Sequence, residues 1–551
     1  MIVVGFWWQR HRWTLLFTAL ALALGGALGA LSRVLLALPP RLGSRPEFYL
    51  EFFFALVGAL GLGALLLVRA QLGLPILLAL LTFLPSRAGM QLQFTGYVVI
   101  AAVDVAVLAG FLILMLHAKV LYKRRLQPVV LRTPLWAWVV VAPLGTLVAV
   151  ARGVPWANWL PELKGFYLWI LVVVLCVNVI RTRQTLRLIM LSLVLSAVPN
   201  VFFELRSVVT GESVRAVQLA NGAVVNRTAG GAGLINPYAF YLMAVFFVAL
   251  GMGMTATRWM PRVFYFGCAV LFMVGIFVTY TRGAWIATVV GLLVLGIAGG
   301  RRMLAVLVGA VVLGYVLMPP TVWARLSFTD SSVAERVGYL HTALATVQAY
   351  PLLGGGWGSD FYLVGNVVVP TFKPNDIPFW HNDYLIVATQ VGLPGLAVFL
   401  WIWVALAWIT LRTYVQAPRG TLRTYLLVFL AALAAMCTQA LTDMFFWRNE
   451  TGPLIWLIVG LICVTINLIR AEGGRDTASG PTAYRPAPCR GRGRRGRPPR
   501  APASWAKPTR ARPPRALQAR EPCGLGAGAR SGRARGGPPP AGATEGSVPW
   551  P

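Results

Sequence analysis

The chain has 551 residues, of which 58% are hydrophobic and only 12% charged, and its mean hydropathy is +0.70. A soluble protein of this length could not hide so much apolar surface from water, so the composition excludes a soluble globular protein. Apolar runs of about 17 to 25 residues recur along the chain, and each can cross a bilayer core of about 30 Å as a helix. The composition therefore predicts an all-α polytopic membrane protein.

The net charge of +32 has two sources. Residues 471–551 contain 16 Arg and Lys against 4 Asp and Glu, a net charge of +12. The rest of the positive charge lies in the loops of the membrane region. An excess of Lys and Arg in cytoplasmic loops is normal for membrane proteins and explains this charge. Membrane lipids are therefore expected partners, and nucleic acid is not.

The six cysteines predict neither a structural disulfide nor a zinc site. None has C-x-x-C spacing and none lies in a predicted outer loop. Four fall in apolar runs and two in the C-terminal tail: Cys176, Cys268, Cys437 and Cys463, then Cys489 and Cys523.

Hydropathy predicts about 12 to 14 transmembrane helices. The first apolar run, about Trp13–Leu38, is longer than the core of a signal peptide and is predicted to remain as a span. The fourteen candidate spans lie near residues 13–38, 48–68, 74–85, 95–118, 135–151, 166–180, 186–203, 234–256, 263–280, 284–299, 303–319, 384–411, 425–442 and 453–469.

The distribution of charge agrees with fourteen spans. If the N-terminus is cytoplasmic, the short connections rich in Arg and Lys fall inside, together with the C-terminus. The connections of mixed charge, above all 204–233 and 320–383, then fall on the outer, periplasmic or extracytoplasmic, side. The apolar stretch 263–299 must hold two short spans with a tight outer turn at Thr281-Arg-Gly283, since one span would put its basic flanks on opposite sides.

The long outer loop 320–383 is predicted to contain an amphipathic helix. Ser332-Val-Ala-Glu335 has the spacing of a capping box, so the helix starts at about Val333, and Tyr350-Pro351 ends it. Its apolar stripe lies either along the membrane surface or on the bundle. The stripe consists of Val333, Val337, Leu340, Leu344 and Val347.

Three regions follow from these patterns. Residues 1–226 are predicted to form an N-terminal transmembrane bundle, and residues 227–470 a second transmembrane region with the outer loop 320–383, which the resemblance described below implies is the catalytic region. Residues 471–551 are rich in Arg, Pro, Gly and Ala, have no apolar periodicity, and are predicted to be a disordered tail.

Three basic residues fall at the same outer boundary of this topology: Arg227, Arg282 and His381. An arginine there can snorkel or be solvated, or it can face an anionic group such as a pyrophosphate, whose oxygens match a guanidinium fork. A histidine there can be satisfied by water, or it can act as a general base. The positive end of a helix dipole disfavours imidazolium and keeps an acceptor near neutral pH. Asn382 and Asp383 can cap that helix or orient the ring.

Other chemistries lack their motifs. There is no D-x-D or E-x-D triplet to hold a divalent metal at a diphosphate, no Walker loop and no G-x-S-x-G. No metal and no cofactor are predicted. Asp104 lies within a span and is either functional or hydrogen-bonded to a neighbouring helix.

Three motifs resemble those of the O-antigen ligase and polymerase superfamily. The first is Thr281-Arg-Gly-Ala-Trp-Ile286. The second is Glu335-Arg336 followed by Tyr350-Pro-Leu-Leu-Gly-Gly-Gly356. The third is His381-Asn-Asp-Tyr-Leu385 followed by Val391-Gly-Leu-Pro-Gly395. The resemblance covers residues 227–396 and extends to the flanking spans by topology alone. The family is usually drawn with about twelve spans, so fourteen spans and a long basic tail depart from its pattern.

The resemblance implies a membrane glycosyltransferase for cell-surface polysaccharide synthesis. The donor is a polyprenyl-pyrophosphate-linked saccharide, such as an undecaprenyl pyrophosphate, used at the outer face of the cytoplasmic membrane. The acceptor is a lipid-linked core for a ligase or a growing glycan for a polymerase, and both remain open. By this resemblance His381 is the catalytic base and Arg282 contacts the pyrophosphate. The substrate-binding candidates are Arg227, Arg336, Asn382 and Asp383.

The competing hypothesis is a transporter of a small anion. Transporters tend to place ionisable groups near the middle of the membrane. Here the basic residues gather at one boundary and Asp104 is the ionisable residue within a span, so an enzyme is favoured over a transporter.

Overall fold

The polar connections of the sequence divide the chain into helices. In this computed structural model the described residues are 70–81, 91–94, 98–121, 125–211, 215–218, 224–228, 234–316, 320–326, 331–359, 380–446, 448 and 450–478. The helices are α1 (Ala70–Leu81), α2 (Ala102–Met115, continued by the π-helical segment Leu116–Leu121), α3 (Arg132–Ala151), α4 (Trp156–Val179), α5 (Arg183–Thr210), α6 (Ile235–Thr255), α7 (Trp259–Val278), α8 (Arg282–Gly299), α9 (Arg301–Val316), α10 (Pro320–Leu326), α11 (Ser331–Ala349), α12 (Asp383–Gln416), α13 (Thr421–Gln439) and α14 (Gly452–Ala478).

Within the described ranges, nine helices are long and apolar enough to cross a membrane: α3 to α8 and α12 to α14. They correspond to nine predicted spans and confirm an all-α polytopic membrane protein, including the two short spans within 263–299. The predicted spans 13–38 and 48–68 lie outside the described residues. The other three correspond to α1, α2 and α9, which have 12, 14 and 16 residues.

Helices α6 and α14 form the centre of the bundle. In the most apolar part of each, 83% of the residues are buried, against 28% in α7. A helix that is hydrophobic on every side is typical of such a surrounded position. Helix α13 packs against α6, α8 and α14. Helix α7 packs on α5 and α6 and exposes apolar side chains that face lipid in a membrane protein.

Helix α12 is broken near its start, and a glycine-rich loop repairs the break. Pro394 has no N–H for the carbonyl of Gln390, and the N–H of Leu393 donates to Pro351 instead of Thr389. The two carbonyls left over accept from the loop: Gly355 N–H donates to Thr389 (2.7 Å) and Gly356 N–H to Gln390 (2.9 Å). Backbone groups in a membrane protein need such partners, so the loop and the break form one structural unit.

Glycine is required where the loop meets the break. Gly392 has φ 82°, and a Cβ there would lie 2.4 Å from the carbonyl oxygen of Leu352. Gly354 has φ 66°, and its Cβ would lie 2.5 Å from the carbonyl carbon of Gln390. The second and third sequence motifs therefore meet in space, and their glycines serve close backbone packing.

Helix α11 begins at Ser331, two residues before the predicted start, and ends at Ala349, as predicted from Tyr350-Pro351. It packs on α12, but through its small and polar face, where Thr342, Ala343 and Thr346 are buried. Of the described members of the predicted apolar stripe, Val337, Leu340 and Leu344 are 48%, 41% and 46% exposed, and Val347 is half-buried. Most of the stripe therefore faces away from the bundle, which favours the membrane surface over packing on the bundle.

Two short β-hairpins, which were not predicted, lie between helices. Strand β1 (Gln91–Phe94) pairs antiparallel with β2 (Val98–Ala101), and β3 (Arg215–Gln218) pairs with β4 (Val224–Arg227). The second hairpin lies within the predicted outer loop 204–233 and ends at Arg227.

Two ion pairs tie helices together. Asp104 of α2 accepts a hydrogen bond of 2.5 Å from Lys164 of α4, which favours the structural alternative for this carboxylate. Arg183 at the start of α5 forms two hydrogen bonds with Glu472 of α14, of 2.7 and 2.5 Å. Helix α14 continues to Ala478, beyond the predicted end of the last span at 469. The tail after residue 478 lies outside the described residues.

Candidate active site

The turn between α7 and α8 places Arg282 at the start of a helix. Thr279–Thr281 connect the two helices, and Tyr280 has φ 50°, a left-handed conformation that few non-glycine residues adopt. Arg282 is the first residue of α8 and is buried, and its Nη1 donates to the carbonyl of Arg325 at 3.2 Å. The predicted tight turn between two spans is present, but it lies at Thr279–Thr281, two residues earlier than predicted, so Arg282 and Gly283 begin α8. The turn holds this guanidinium inside the protein rather than in solvent.

Gly283 lets α8 approach the segment that follows α13. A Cβ at this position would lie 2.2 Å from Oγ1 and 3.1 Å from Cβ of Thr442. No side chain fits at that distance, so the arginine–glycine pair of the first motif has a physical reason. The glycine brings Arg282 close to the segment that carries Asp443.

We expect Gly283→Ala to lower the melting temperature of the purified protein in detergent, because an added methyl group in a packed contact costs about 1–3 kcal/mol. Gly267→Ala in α7 is the matched control, since nothing lies within 4 Å of a Cβ at that position. Combining Gly283→Ala with Thr442→Ala removes the oxygen at 2.2 Å and should restore most of the loss. Equal melting temperatures for Gly283→Ala and Gly267→Ala would contradict this interpretation.

Arg227 is buried at the end of β4 and reaches the same turn. Its Nε donates to the carbonyl of Thr279 at 2.9 Å, and its Nη2 donates to Oγ1 of Thr281 and Oδ1 of Asn236, each at 3.0 Å. The next residue, Thr228, is also anchored, because its hydroxyl donates to buried Glu204 at 3.1 Å. The structure thus brings Arg227 and the Arg282 turn together across 55 positions of sequence, as the topology predicted.

His381 lies just before α12 with its backbone in the left-handed region, at φ 44°. With Tyr280 it is one of two non-glycine residues with positive φ in the described ranges. Its Nδ1 lies 3.0 Å from Oδ1 of Asp443, and 29% of the side chain is exposed. Such strain costs about 1–3 kcal/mol and occurs most often at functional sites.

Asn382 and Asp383 fix the start of α12. The side-chain oxygen of Asn382 caps the helix by accepting from the N–H groups of Tyr384 (2.9 Å) and Leu385 (3.1 Å). Asp383 is fully buried, and its carboxylate accepts from the N–H of Phe445 at 2.9 Å. Both side chains therefore have structural contacts that hold His381 beside Asp443, and their contact with substrate stays a prediction.

Asp443 and Asn236 connect the predicted residues into one hydrogen-bonded chain. Asn236 accepts from Arg227 through Oδ1 and donates through Nδ2 to Oδ2 of Asp443 at 2.6 Å. The other oxygen of Asp443 accepts from His381 and from the N–H of Met444 at 2.8 Å. A continuous chain thus runs from Arg227 through Asn236 and Asp443 to His381.

Sequence reasoning did not assign a role to Asp443 or to Arg325. The available signal for Asp443 was an acidic residue at the start of the predicted outer loop 443–452, at the same boundary as the basic residues. Arg325 lies in α10, a helix of seven residues that hydropathy did not reveal. Asn236, the residue before Pro237, was likewise not assigned a role from the sequence.

The side chains around the hydrogen-bonded chain from Arg227 to His381 are mostly positively charged. A small cavity is lined by four arginines, Arg227, Arg282, Arg325 and Arg336, and by one carboxylate, Asp443. The enclosed space is about 20 Å³, roughly enough for one water molecule. The structure therefore gathers three of the predicted arginines around one point, and adds a fourth.

Asp443 is ionised in this environment. Burial raises the pKa of its carboxyl, but the hydrogen bond and charge of His381, with the charge of Arg448 and the hydrogen bond from Asn236, outweigh burial. The net result is a pKa below the ordinary value for aspartate. When the imidazole is neutral, a carboxylate that accepts from Nδ1 fixes that nitrogen as the N–H of the ring and leaves Nε2 as the proton acceptor.

The family comparison covers part of this site. A family model described as O-Antigen ligase matches residues 267–400, and no curated protein matched the chain. The matched segment begins in α7, ends in α12, and contains Arg282, Arg336 and His381. Arg227 and Asp443 lie outside it and reach the site through the fold. By this match, residues 267–400 are similar to the O-antigen ligase family, in agreement with the three sequence motifs.

Proposed function

We propose that this protein is a membrane glycosyltransferase that transfers or polymerises a saccharide from a polyprenyl-pyrophosphate carrier. The observation that carries the proposal is the hydrogen-bonded chain from Arg227 to His381 beside a cavity lined by four arginines. One end of the chain offers a proton acceptor, and the other offers cations that suit a pyrophosphate. A glycosyl transfer with a pyrophosphate leaving group uses both.

In this proposal Nε2 of His381 removes the proton of the acceptor hydroxyl. The acceptor oxygen forms a bond to the anomeric carbon as the bond from that carbon to the phosphate oxygen breaks. The pyrophosphate leaves with the electron pair, and the proton stays on the imidazole. Asp443 stabilises the imidazolium that forms and keeps the ring in the correct tautomer, and so acts as a positioning residue.

The arginines act on the leaving group. Negative charge grows on the pyrophosphate as the glycosidic bond breaks, and fixed cations in a desolvated site stabilise that charge. Arg282 and Arg227 are buried, and Arg325 and Arg336 complete the lining. Because the enclosed space is about 20 Å³, we expect these side chains to rotate when the donor binds.

We expect Asp443→Asn to reduce turnover by about 10²–10⁴, comparable to the loss of the general base itself, because the ring would be held in the wrong tautomer. An asparagine can donate to Nδ1, and the ring would then present Nε2–H, which is not a base. Loss of the negative charge should also move the acidic limb of the pH–rate profile to lower pH, because the imidazolium loses its counter-charge.

The measurements for Asp443→Asn are the pH–rate profile and the melting temperature. Asp443→Glu keeps the charge and should recover part of the turnover. A uniform loss of rate at every pH in a protein with a lowered melting temperature would assign Asp443 a purely structural role.

We propose that the site faces outward across the cytoplasmic membrane and that both termini are cytoplasmic. The support is charge: the connections at the opposite end of the bundle carry Arg258, Arg262, Arg301, Arg302 and Arg419. A cysteine at exposed Leu353 should react with an impermeant thiol reagent in intact cells, and one at Arg419 should react only after permeabilisation. The reverse pattern would overturn this orientation.

The proposal is tested by incubating the purified protein with a polyprenyl-pyrophosphate saccharide and candidate acceptors. Carrier release together with an extended acceptor is the expected result, and the extended acceptor tells ligase from polymerase. EDTA should leave the rate unchanged, since we propose that the arginines take the place of a metal; a loss restored by magnesium would contradict that part. Uptake of a labelled anion by proteoliposomes, without carrier release, would favour the transporter.

A further inference from the structure

A second cavity lies at the end of the bundle opposite the candidate active site. Helices α12 and α14 both start beside that site, at Asp383 and Gly452, and the cavity lies near the far end of each. With about 1.5 Å of rise per residue, the 29 residues from Asp383 to Arg412 place it about 40 Å away along α12. Its volume is about 390 Å³, and its walls include Trp408, Ile409, Arg412, Thr413, Ile469 and Arg470.

The walls of this cavity divide into a charged end and an apolar side. Arg412 and Arg470 are exposed, and no carboxylate of the described residues pairs with either one. The nearby Glu472 is held by Arg183. On the other side, Trp408 is 63% exposed, and Ile409 and Ile469 continue the apolar wall.

This arrangement matches the two parts of a phospholipid. Two guanidinium groups can hold a phosphate, and an apolar wall beside them can hold the start of an acyl chain. Tryptophan is enriched at the depth where headgroups meet acyl chains. Arg412 lies one helical turn after Trp408 in α12, so with the Arg412 guanidinium at the headgroups the Trp408 ring would lie at that depth.

Charge also excludes the basic tail of the chain as the occupant. Residues 471–551 carry a net charge of +12, and the N-terminal segment has Arg10 and Arg12 before its first apolar run. Neither complements two arginines. An anionic group from the surrounding membrane does.

We propose that this cavity binds an anionic phospholipid of the leaflet opposite the candidate active site, with the phosphate between Arg412 and Arg470 and an acyl chain along Trp408. The site is separate from the glycosyl-transfer chemistry, so it stands whether or not the proposed function is correct.

The test is lipid binding to the purified full-length protein in mild detergent, measured by native mass spectrometry. The probes are dioleoyl phosphatidylglycerol, dioleoyl phosphatidylcholine and inorganic phosphate. The wild-type protein should bind phosphatidylglycerol more tightly than either of the others. The double variant Arg412→Gln/Arg470→Gln should lose about thirtyfold in affinity for phosphatidylglycerol, the effect of two basic residues near an anionic headgroup.

Two further variants keep the result interpretable. Arg301→Gln/Arg419→Gln removes the same charge from exposed positions outside the cavity and should bind phosphatidylglycerol like the wild type. Arg412→Lys/Arg470→Lys keeps both charges and should retain most of the affinity. Equal losses in the two glutamine double variants would overturn the site in favour of general surface charge. Equal binding of phosphatidylcholine, or preference for free phosphate, would overturn the anionic phospholipid as ligand.

Discussion

Replacing His381 with alanine is expected to lower the rate of glycosyl transfer by about 10²–10⁴, the usual contribution of a general base. Binding of the polyprenyl-pyrophosphate carrier should stay near the wild-type value, because the cations that line the cavity remain. The imidazole is 29% exposed, and its Nδ1 contacts Asp443, which lines the cavity, so its removal takes away the proton acceptor. Carrier affinity and single-turnover rate, measured separately, check both parts.

Two companion variants separate the base from its surroundings. His381→Asn tolerates the left-handed backbone and can still donate to Asp443, but it has no basic nitrogen, so it should be as slow as alanine. His341→Ala removes an exposed histidine of α11 and should be neutral. If His381→Ala loses carrier binding but keeps the turnover of what binds, the histidine holds substrate. The base is then sought at Asp443, since Asp383 is fully buried.

Local signals predicted the parts of the site that depend on a single helix end. The turn at Thr281-Arg-Gly283 follows from hydropathy and basic flanks, and the start of α12 at Asn382-Asp383 follows from residues that cap helices. The structure has the start of α12 as predicted and the turn two residues earlier, at Thr279–Thr281. The shared boundary of Arg227, Arg282 and His381 also followed, because the number of spans between residues decides the side on which each one lies.

The partners of these residues could not be predicted, because packing between helices decides them. Asp443 meets His381 across 62 positions of sequence, and the neighbouring Asp383 accepts from the N–H of Phe445 across another 62. Neither residue type is unusual at its position. These hydrogen bonds form only when the helices pack in one arrangement, and the hydrophobic periodicity of the sequence does not specify that arrangement.

Helix α11 shows a second limit of pattern reasoning. Its apolar stripe was correctly identified as a stripe, but small and polar residues make the contact with α12. In a membrane protein, apolar side chains gain nothing by leaving lipid for protein, and small residues allow closer approach. A soluble amphipathic helix buries its apolar face in the protein, whereas α11 buries its small and polar face.

Arg282→Ala is expected to weaken carrier binding and to lower turnover by about 10²–10³, the cost of removing one preorganised group that stabilises transition-state charge. Both quantities fall because the pyrophosphate is present before the bond breaks and gains charge as it breaks. Arg282→Lys keeps the positive charge but loses the planar fork, so we expect a smaller defect, about tenfold. This order distinguishes Arg282 from His381, whose loss affects turnover alone.

The control for Arg282 is Arg301, which is also the first residue of a helix but is exposed at the other end of the bundle. Arg301→Lys and Arg301→Ala should leave both affinity and turnover unchanged. Because Arg282 is buried and donates to the carbonyl of Arg325, melting temperatures must accompany the kinetics. A lysine variant with wild-type stability and wild-type rate would show that charge alone suffices. An alanine variant that loses stability but keeps its affinity for the carrier would reduce Arg282 to a structural arginine.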